Sequence, residues 1–290
     1  MKKLILGTVQ MGLNYGVNNN SGKITLVESK KILYKAYLSG IDTLDTADGY
    51  GDAHNVIGEF HKDNPECKFK IITKLPQNIS DDDDIISKCI DYLNVFNVEV
   101  IEVLMFHSFN SYLKNRNSIP ILNKLKETGK IKHIGVSVYT NDELKYLIDK
   151  EPLVTVIQLP FNLFDNKFIR GELLIQAKSK NKIIHTRSAF LQGLFFMNPS
   201  VSNKVVHKLK SELSLLNKIS LKENCSISDL ALSYCVKQEF IDNVIIGVDS
   251  IEQLIENIKS SSYLIKDEAV KMINNIQITN HDLLNPSLWG

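Results

Sequence analysis

Short runs of β-branched and aliphatic residues alternate with longer amphipathic stretches along this chain, and the alternation recurs eight times. The strand-like runs fall at 4–9, 43–46, 70–74, 100–106, 133–138, 154–159, 182–185 and 244–247. Helical patterns follow near 26–39, 55–61, 81–96, 119–128, 141–149, 170–179, 226–237 and 251–260. In the third of these, Ile85, Ile86, Cys89, Ile90 and Leu93 recur at the three- and four-residue steps of one helix face. Runs such as Val154-Thr155-Val156-Ile157 and Val244-Ile245-Ile246 are apolar nearly throughout, as strands covered on both faces are. Eight β-then-α units in 290 residues predict an α/β chain folded as a (β/α)8 TIM barrel, whose usual length is about 250 residues. No Pro/Gly/Ser-rich linker interrupts the series, so 1–290 reads as a single barrel domain. The surplus length falls in an extra helix near 205–219 and in a tail from Asp267 to Gly290.

Composition narrows the function classes. The chain carries 34 Lys+Arg against 33 Asp+Glu, a net charge of +1. Neither the basic field that draws nucleic acid nor a polybasic membrane-docking surface is present on average. No uncharged apolar run reaches the ~18–20 residues that span a bilayer. Lys2 and Lys3 precede an apolar stretch, but Gln10 and Asn14 interrupt it and no small-residue cleavage site follows. The cysteines Cys67, Cys89, Cys225 and Cys235 form no CxxC pair and no ligand spacing. Scattered thiols suggest a reducing, cytoplasmic setting. The four acids at 81–84 open a helix and complement its positive end rather than gather a metal.

In a barrel of this kind, reactive side chains belong at the C-terminal ends of strands, where the βα connections build the active face. Reading polar residues there gives Asp45 after the second run, Tyr50 in the next loop, Lys74 after the third and His107 after the fourth. Ser137 ends the fifth run, Gln158 lies in the sixth, and Thr186, Arg187 and Ser188 follow the seventh. A phenol is a poor acid at neutral pH, with an ordinary pKa of ~10. A nearby ammonium lowers it, a carboxylate holds that ammonium, and an imidazole orients a polar substrate atom. Each of the four alone is more often structural; together on neighbouring strands they form a proton-transfer set.

The stretch Gly40-Ile41-Asp42-Thr43-Leu44-Asp45-Thr46-Ala47, followed by Tyr50-Gly51, resembles the signature of the aldo-keto reductases. The resemblance extends over essentially the whole chain. It takes in Leu6-Gly7-Thr8, Lys74 after Ile71-Ile72-Thr73, His107 after Val103-Leu104-Met105-Phe106, Ile134-Gly135-Val136-Ser137, Gln158 with Asn162, and Gly247 leading to Glu252-Gln253-Leu254 and Glu256-Asn257. It implies an NAD(P)H-dependent carbonyl reductase that needs no metal, with a small carbonyl compound as substrate. Tyr50 resembles the general acid, Lys74 the group that tunes it, Asp45 the salt-bridge partner of Lys74, and His107 the residue that aims the carbonyl. A second reading, a nicotinamide-nucleotide-binding regulatory or sensor barrel with little turnover, stays open.

The same resemblance assigns Gly7, Thr8, Ser137, Gln158, Arg187, Ser188, Gln192, Gly193, Gly247, Glu256 and Asn257 to the cofactor, NADP(H) or NAD(H). Two positions depart from the family pattern. Val138 stands where an Asn is usual, and Arg187 where relatives place an aromatic ring on the nicotinamide. No Lys or Arg occurs between Val244 and Asn257 to meet a 2′-phosphate, and Asp249 is nearby. The chain opening, Leu6-Gly7-Thr8-Val9-Gln10 with Asn14-Tyr15-Gly16, resembles a bacterial subgroup linked with cell-surface sugars, which implies a keto- or aldehydo-sugar. The resemblance implies a C-terminal tail over the active-site face, with Trp289 either lining the pocket or packing against the barrel exterior. Asp48, Asp52 and His54 surround Tyr50 but lack strand-fixed geometry for a metal.

Overall fold

A computed structural model describes residues 3–16, 19, 22–79, 82–197 and 203–289. Eight strands, β1 (Leu4–Gly7), β2 (Thr43–Asp45), β3 (Lys70–Lys74), β4 (Ile101–Phe106), β5 (Ile131–Ser137), β6 (Val154–Pro160), β7 (Ile183–Arg187) and β8 (Asn243–Ile246), pair in sequence order into a closed parallel barrel. Closure is made by β1 against β8, with Leu4 opposite Val244 and Leu6 opposite Ile246. All eight predicted strands are present. The first is shorter than its apolar run because Thr8 leaves the sheet and Val9–Gly12 forms a single helical turn.

Side chains alternate across each strand, so residues two apart share a face. The inward face carries a small apolar cluster of Ile5, Ile72, Val103, Met105, Val156 and Ile245. Met105 lies over Gly135, where a Cβ would stand 2.7 Å from its Cγ. The same parity carries the next inward residues, Gly7, Lys74, His107, Gln158 and Gly247, to the C-terminal mouth. The barrel therefore has an apolar floor and a polar rim. A much larger core fills the space between the outward strand faces and the helices.

Local capping explains where the helices begin. Thr140 with Glu143, and Ser226 with Asp229, form capping boxes at Asn141–Lys150 and Ile227–Lys237. The extra helix is two segments, Lys204–Lys208 and Lys210–Glu223. The short helix Phe109–Lys114, which the periodicity did not separate, precedes Ile119–Glu127. The third barrel helix starts at Asp82; Asp81 lies outside the described residues. Among the described residues no helix is long and apolar enough to cross a membrane.

The tail runs through the helix Asp267–Asn274 and returns to the connection after β6, where Asn166 donates to the carbonyls of Ile273 and Ile276 at 2.8 and 3.0 Å. Trp289 is half-buried on the barrel's outer core and donates to the Leu283 carbonyl at 3.2 Å. None of the described tail residues lines the cavity at the barrel mouth, and Trp289 packs against the barrel exterior, the second of its two expected placements.

Candidate active site

Asp45 and Lys74 end adjacent strands, and parity turns both inward. They are 4% and 1% exposed. Lys74 Nζ donates to both Asp45 carboxylate oxygens at 2.9 and 2.8 Å and to the Thr46 carbonyl at 2.9 Å. Gln158 Nε2 donates to Asp45 Oδ1 at 2.7 Å. A buried ion pair persists only when its remaining hydrogen-bonding capacity is met, and here the barrel supplies those partners. Burial opposes the Lys74 charge, but Asp45 and Tyr50 outweigh it and hold its pKa above the ordinary value.

Tyr50 reaches the same place from the loop after β2. That loop is docked on the turn after β1: a Cβ on Gly12 would stand 1.7 Å from the Tyr50 carbonyl oxygen, and one on Gly51, at φ +52°, 2.5 Å from the Gly12 carbonyl. The Lys74 ammonium lies 5.3 Å from the Tyr50 ring centre. His107, one residue past β4, meets that ring edge-on at 5.9 Å between centroids. Burial lowers the His107 pKa to about 4, helped by the Lys74 charge. The imidazole is therefore neutral at pH 7 and offers one N–H. Tyr50 departs from expectation. Burial raises its phenol, and Lys74 acts against that shift without reversing it.

A cavity of about 650 Å³ opens over this group. Its walls include Asp45 and Tyr50, and ten of the eleven residues assigned to a cofactor: Gly7, Thr8, Gln158, Arg187, Ser188, Gln192, Gly193, Gly247, Glu256 and Asn257. Lys74 is buried beneath Tyr50, and His107 stands half-buried at the edge of its ring. Ser137, the eleventh, is buried at the end of β5 and is not a wall residue. The Gln158 amide donates one N–H to Asp45 while the residue lines the cavity.

The connection after β7 holds Ser188, Leu191 and Gln192 at φ of 60°, 48° and 55°, followed by Gly193 at 87°. Left-handed non-glycine residues are costly and gather at sites where surrounding structure enforces them. Asn162 donates to the Ser188 carbonyl at 3.2 Å, and Gln192 donates to the Tyr15 hydroxyl at 2.7 Å. After β8, the Asp249 amide donates to the Gln253 side chain at 2.8 Å, and its carboxylate accepts from Asn19 at 3.3 Å.

Asp48, Asp52 and His54 do not converge. Asp48 takes Lys88 and Tyr92, Asp52 takes Lys23, and His54 meets Thr73. Sequence reasoning missed Gln10, Tyr15, Ser226, Ser228 and Gln253 on the wall, and Tyr139 beneath Arg187. Gln10 and Tyr15 follow β1 and so obey the strand-end rule. Ser226 and Ser228 enter from a helix start, for which no strand-end signal exists.

A family model described as the aldo/keto reductase family matches residues 3–278. The chain belongs to that family. The NADH-specific methylglyoxal reductase of Escherichia coli (strain K12) is 21% identical over 305 residues, covering 92% of each chain. The L-glyceraldehyde 3-phosphate reductase of the same strain is 22% identical over 292 residues, covering 87% of this chain and 84% of its own. Among solved structures, aldo-keto reductase AKR11C1 from Bacillus halodurans in its holo form matches with a TM-score of 0.78 at 19% identity, covering 96% of this chain and 94% of that one. At that identity the likeness speaks for the fold.

This aldo/keto reductase is an NAD(P)H-dependent oxidoreductase acting on a carbonyl compound. Its wall fits a dinucleotide. Gly7, Gly193 and Gly247 leave backbone bare to the cavity, and a Cβ on Gly247 would stand 2.6 Å from Gln10 Nε2. Gln10 Oε1 is buried without a hydrogen-bond partner, an acceptor matched to a hydroxyl or amide of a ligand.

Proposed function

We propose that Tyr50 is the proton donor in this aldo/keto reductase, and that one barrel comprising the whole chain performs the reaction. The observation that carries the reading is the buried Asp45–Lys74 pair beneath a half-buried phenol on the cavity wall. Bound NAD(P)H supplies hydride to the substrate's carbonyl carbon. The neutral His107 imidazole orients the carbonyl oxygen, and Tyr50 protonates that oxygen to give the alcohol. Burial keeps the phenol protonated beforehand. As phenolate character develops, the preplaced Lys74 charge stabilises it, so Lys74 favours the transition state over the resting state.

Asp249 and Glu256 line the cavity, and Arg187 is its one Lys or Arg among the described residues. A 2′-phosphate beside those carboxylates meets repulsion, so NADH is accepted at least as well as NADPH. The substrate is a small aldehyde or ketone, with aldehydo- and keto-sugars among the candidates. Free thiols at Cys67, Cys89, Cys225 and Cys235 fit a cytoplasmic location.

Steady-state assays over a panel of aldehydes, ketones and keto-sugars with both nucleotides test the reading. Tyr50→Phe should lower kcat by about 10²–10⁴-fold while nucleotide affinity stays nearly constant. Near wild-type turnover in that variant at neutral pH removes Tyr50 from its role. A large preference for NADPH sinks the repulsion argument.

A further inference from the structure

Arg187 ends β7 with its side chain turned to the barrel mouth, and it stands on the cavity wall with Tyr50. Its guanidinium carbon lies 4.1 Å from the centre of the Tyr139 ring, and Nη2 makes a long bond of 3.4 Å to the Val138 carbonyl. Among the described residues no carboxylate pairs with it. Lys74, the other nearby cation, is neutralised by both oxygens of Asp45. No ion pair joins Arg187 to Asp249 or Glu256, the wall's other acids. Burial raises the Asp249 carboxyl, where a close guanidinium would have lowered it. The site thus holds one fixed, uncompensated positive charge.

Reduction changes the charge of what this cavity binds. The dihydropyridine ring gives up a hydride, one proton with two electrons, to the carbonyl carbon, while the Tyr50 proton goes to the carbonyl oxygen. The neutral ring becomes a pyridinium cation. Its reacting carbon must lie against a carbonyl whose oxygen is in hydrogen-bond reach of Tyr50, within about 3 Å. Arg187 is close enough to that phenol for its charge, with that of Lys74, to act against the rise that burial imposes. A nicotinamide ring bound for that transfer would come near both residues, and the guanidinium stacked on Tyr139 lines the cavity it would enter.

We propose that Arg187 poises the nicotinamide pocket toward reduction, by making it repel the pyridinium form and accept the neutral dihydropyridine. The proposal rests on the nicotinamide-dependent reading above and adds a direction to it. An arginine cannot shed its charge at any ordinary pH, so the bias is permanent. It also speeds release of the oxidised nucleotide after turnover.

Calorimetric titration of the full chain without substrate, using NADH against NAD and NADPH against NADP, reads the bias directly. The reduced form of the accepted pair should bind roughly tenfold more tightly than the oxidised form, the order expected for two unit charges a few ångströms apart at a partly solvated site. Arg187→Gln and Arg187→Met should each lower that ratio at least threefold, while Arg187→Lys keeps it. Equal affinities in the unaltered protein overturn the proposal without recourse to any variant. An unchanged ratio in folded Arg187→Gln overturns it too. Failure to bind either redox form overturns it together with the nucleotide reading, whereas a flat ratio with tight binding leaves that reading intact.

Discussion

For Lys74, a contribution to stability and the proposed part in the reaction can be separated by experiment. Its ammonium is satisfied by Asp45 and the Thr46 carbonyl in a fully buried place. Removing one member of a buried ion pair leaves the other charge uncompensated and costs about 3–5 kcal/mol. Lys74→Met alone should therefore lower urea-unfolding stability by about that amount and abolish turnover. The double variant Asp45→Asn/Lys74→Met removes both charges and should recover most of the stability with none of the activity. Recovery of turnover in the double variant contradicts the electrostatic role of Lys74. The residue scale also holds a reversal: a lysine beside a tyrosine reads as a lowered phenol pKa, yet burial prevails and the phenol is raised.

At the scale of elements, the site depends on the contact between the turn after β1 and the loop after β2. Gly12 admits the Tyr50 carbonyl at a distance that no Cβ tolerates, and Gly51 returns the fit. The obstacle is backbone, which cannot swing aside as a flexible side chain can. Gly12→Ala should destabilise the protein by about 1–3 kcal/mol and displace the phenol. The kinetic signature is a fall in kcat larger than any change in nucleotide Kd, measured by stopped-flow turnover beside equilibrium titration. Unaltered kcat places Tyr50's position under the control of other contacts. The connection after β7 makes a parallel point. Its left-handed Ser188, Leu191 and Gln192 are held by the fold, through Asn162 and Tyr15, since none of the three is a glycine.

Across the whole molecule, buried histidines shape the response to mild acid. His54, His107 and His185 all have pKa values lowered to about 4, in each case chiefly by burial. An unfolded histidine takes a proton near pH 6.5. Between that pH and about 4 the unfolded chain binds protons that the folded barrel refuses, so stability is full above pH 6.5 and falls as pH drops. Each histidine contributes a slope of up to about 1.4 kcal/mol per pH unit in that window. Chemical unfolding at a series of pH values should show this decline beginning above the range where carboxylates titrate. A flat profile from pH 6.5 to 5 contradicts the neutral assignment of the three rings.

The barrel was legible because its signals are local. Each apolar run announces a strand, each amphipathic run a helix, and eight repeats close the sheet; strand parity then delivers Asp45, Lys74 and His107 to one rim, with Tyr50 in the loop beside them. Family resemblance named eleven residues, ten of which line the cavity, with Ser137 buried at the end of β5 beside it. Other features depend on neighbours far apart along the chain: the 2.7 Å bond from Gln158 to Asp45, the Tyr139 ring under Arg187, and the buried Gln10 oxygen beside Gly247. Periodicity along a chain dictates which way a side chain turns. How dry its surroundings are, and which charge stands opposite, is decided only when the strands close around it.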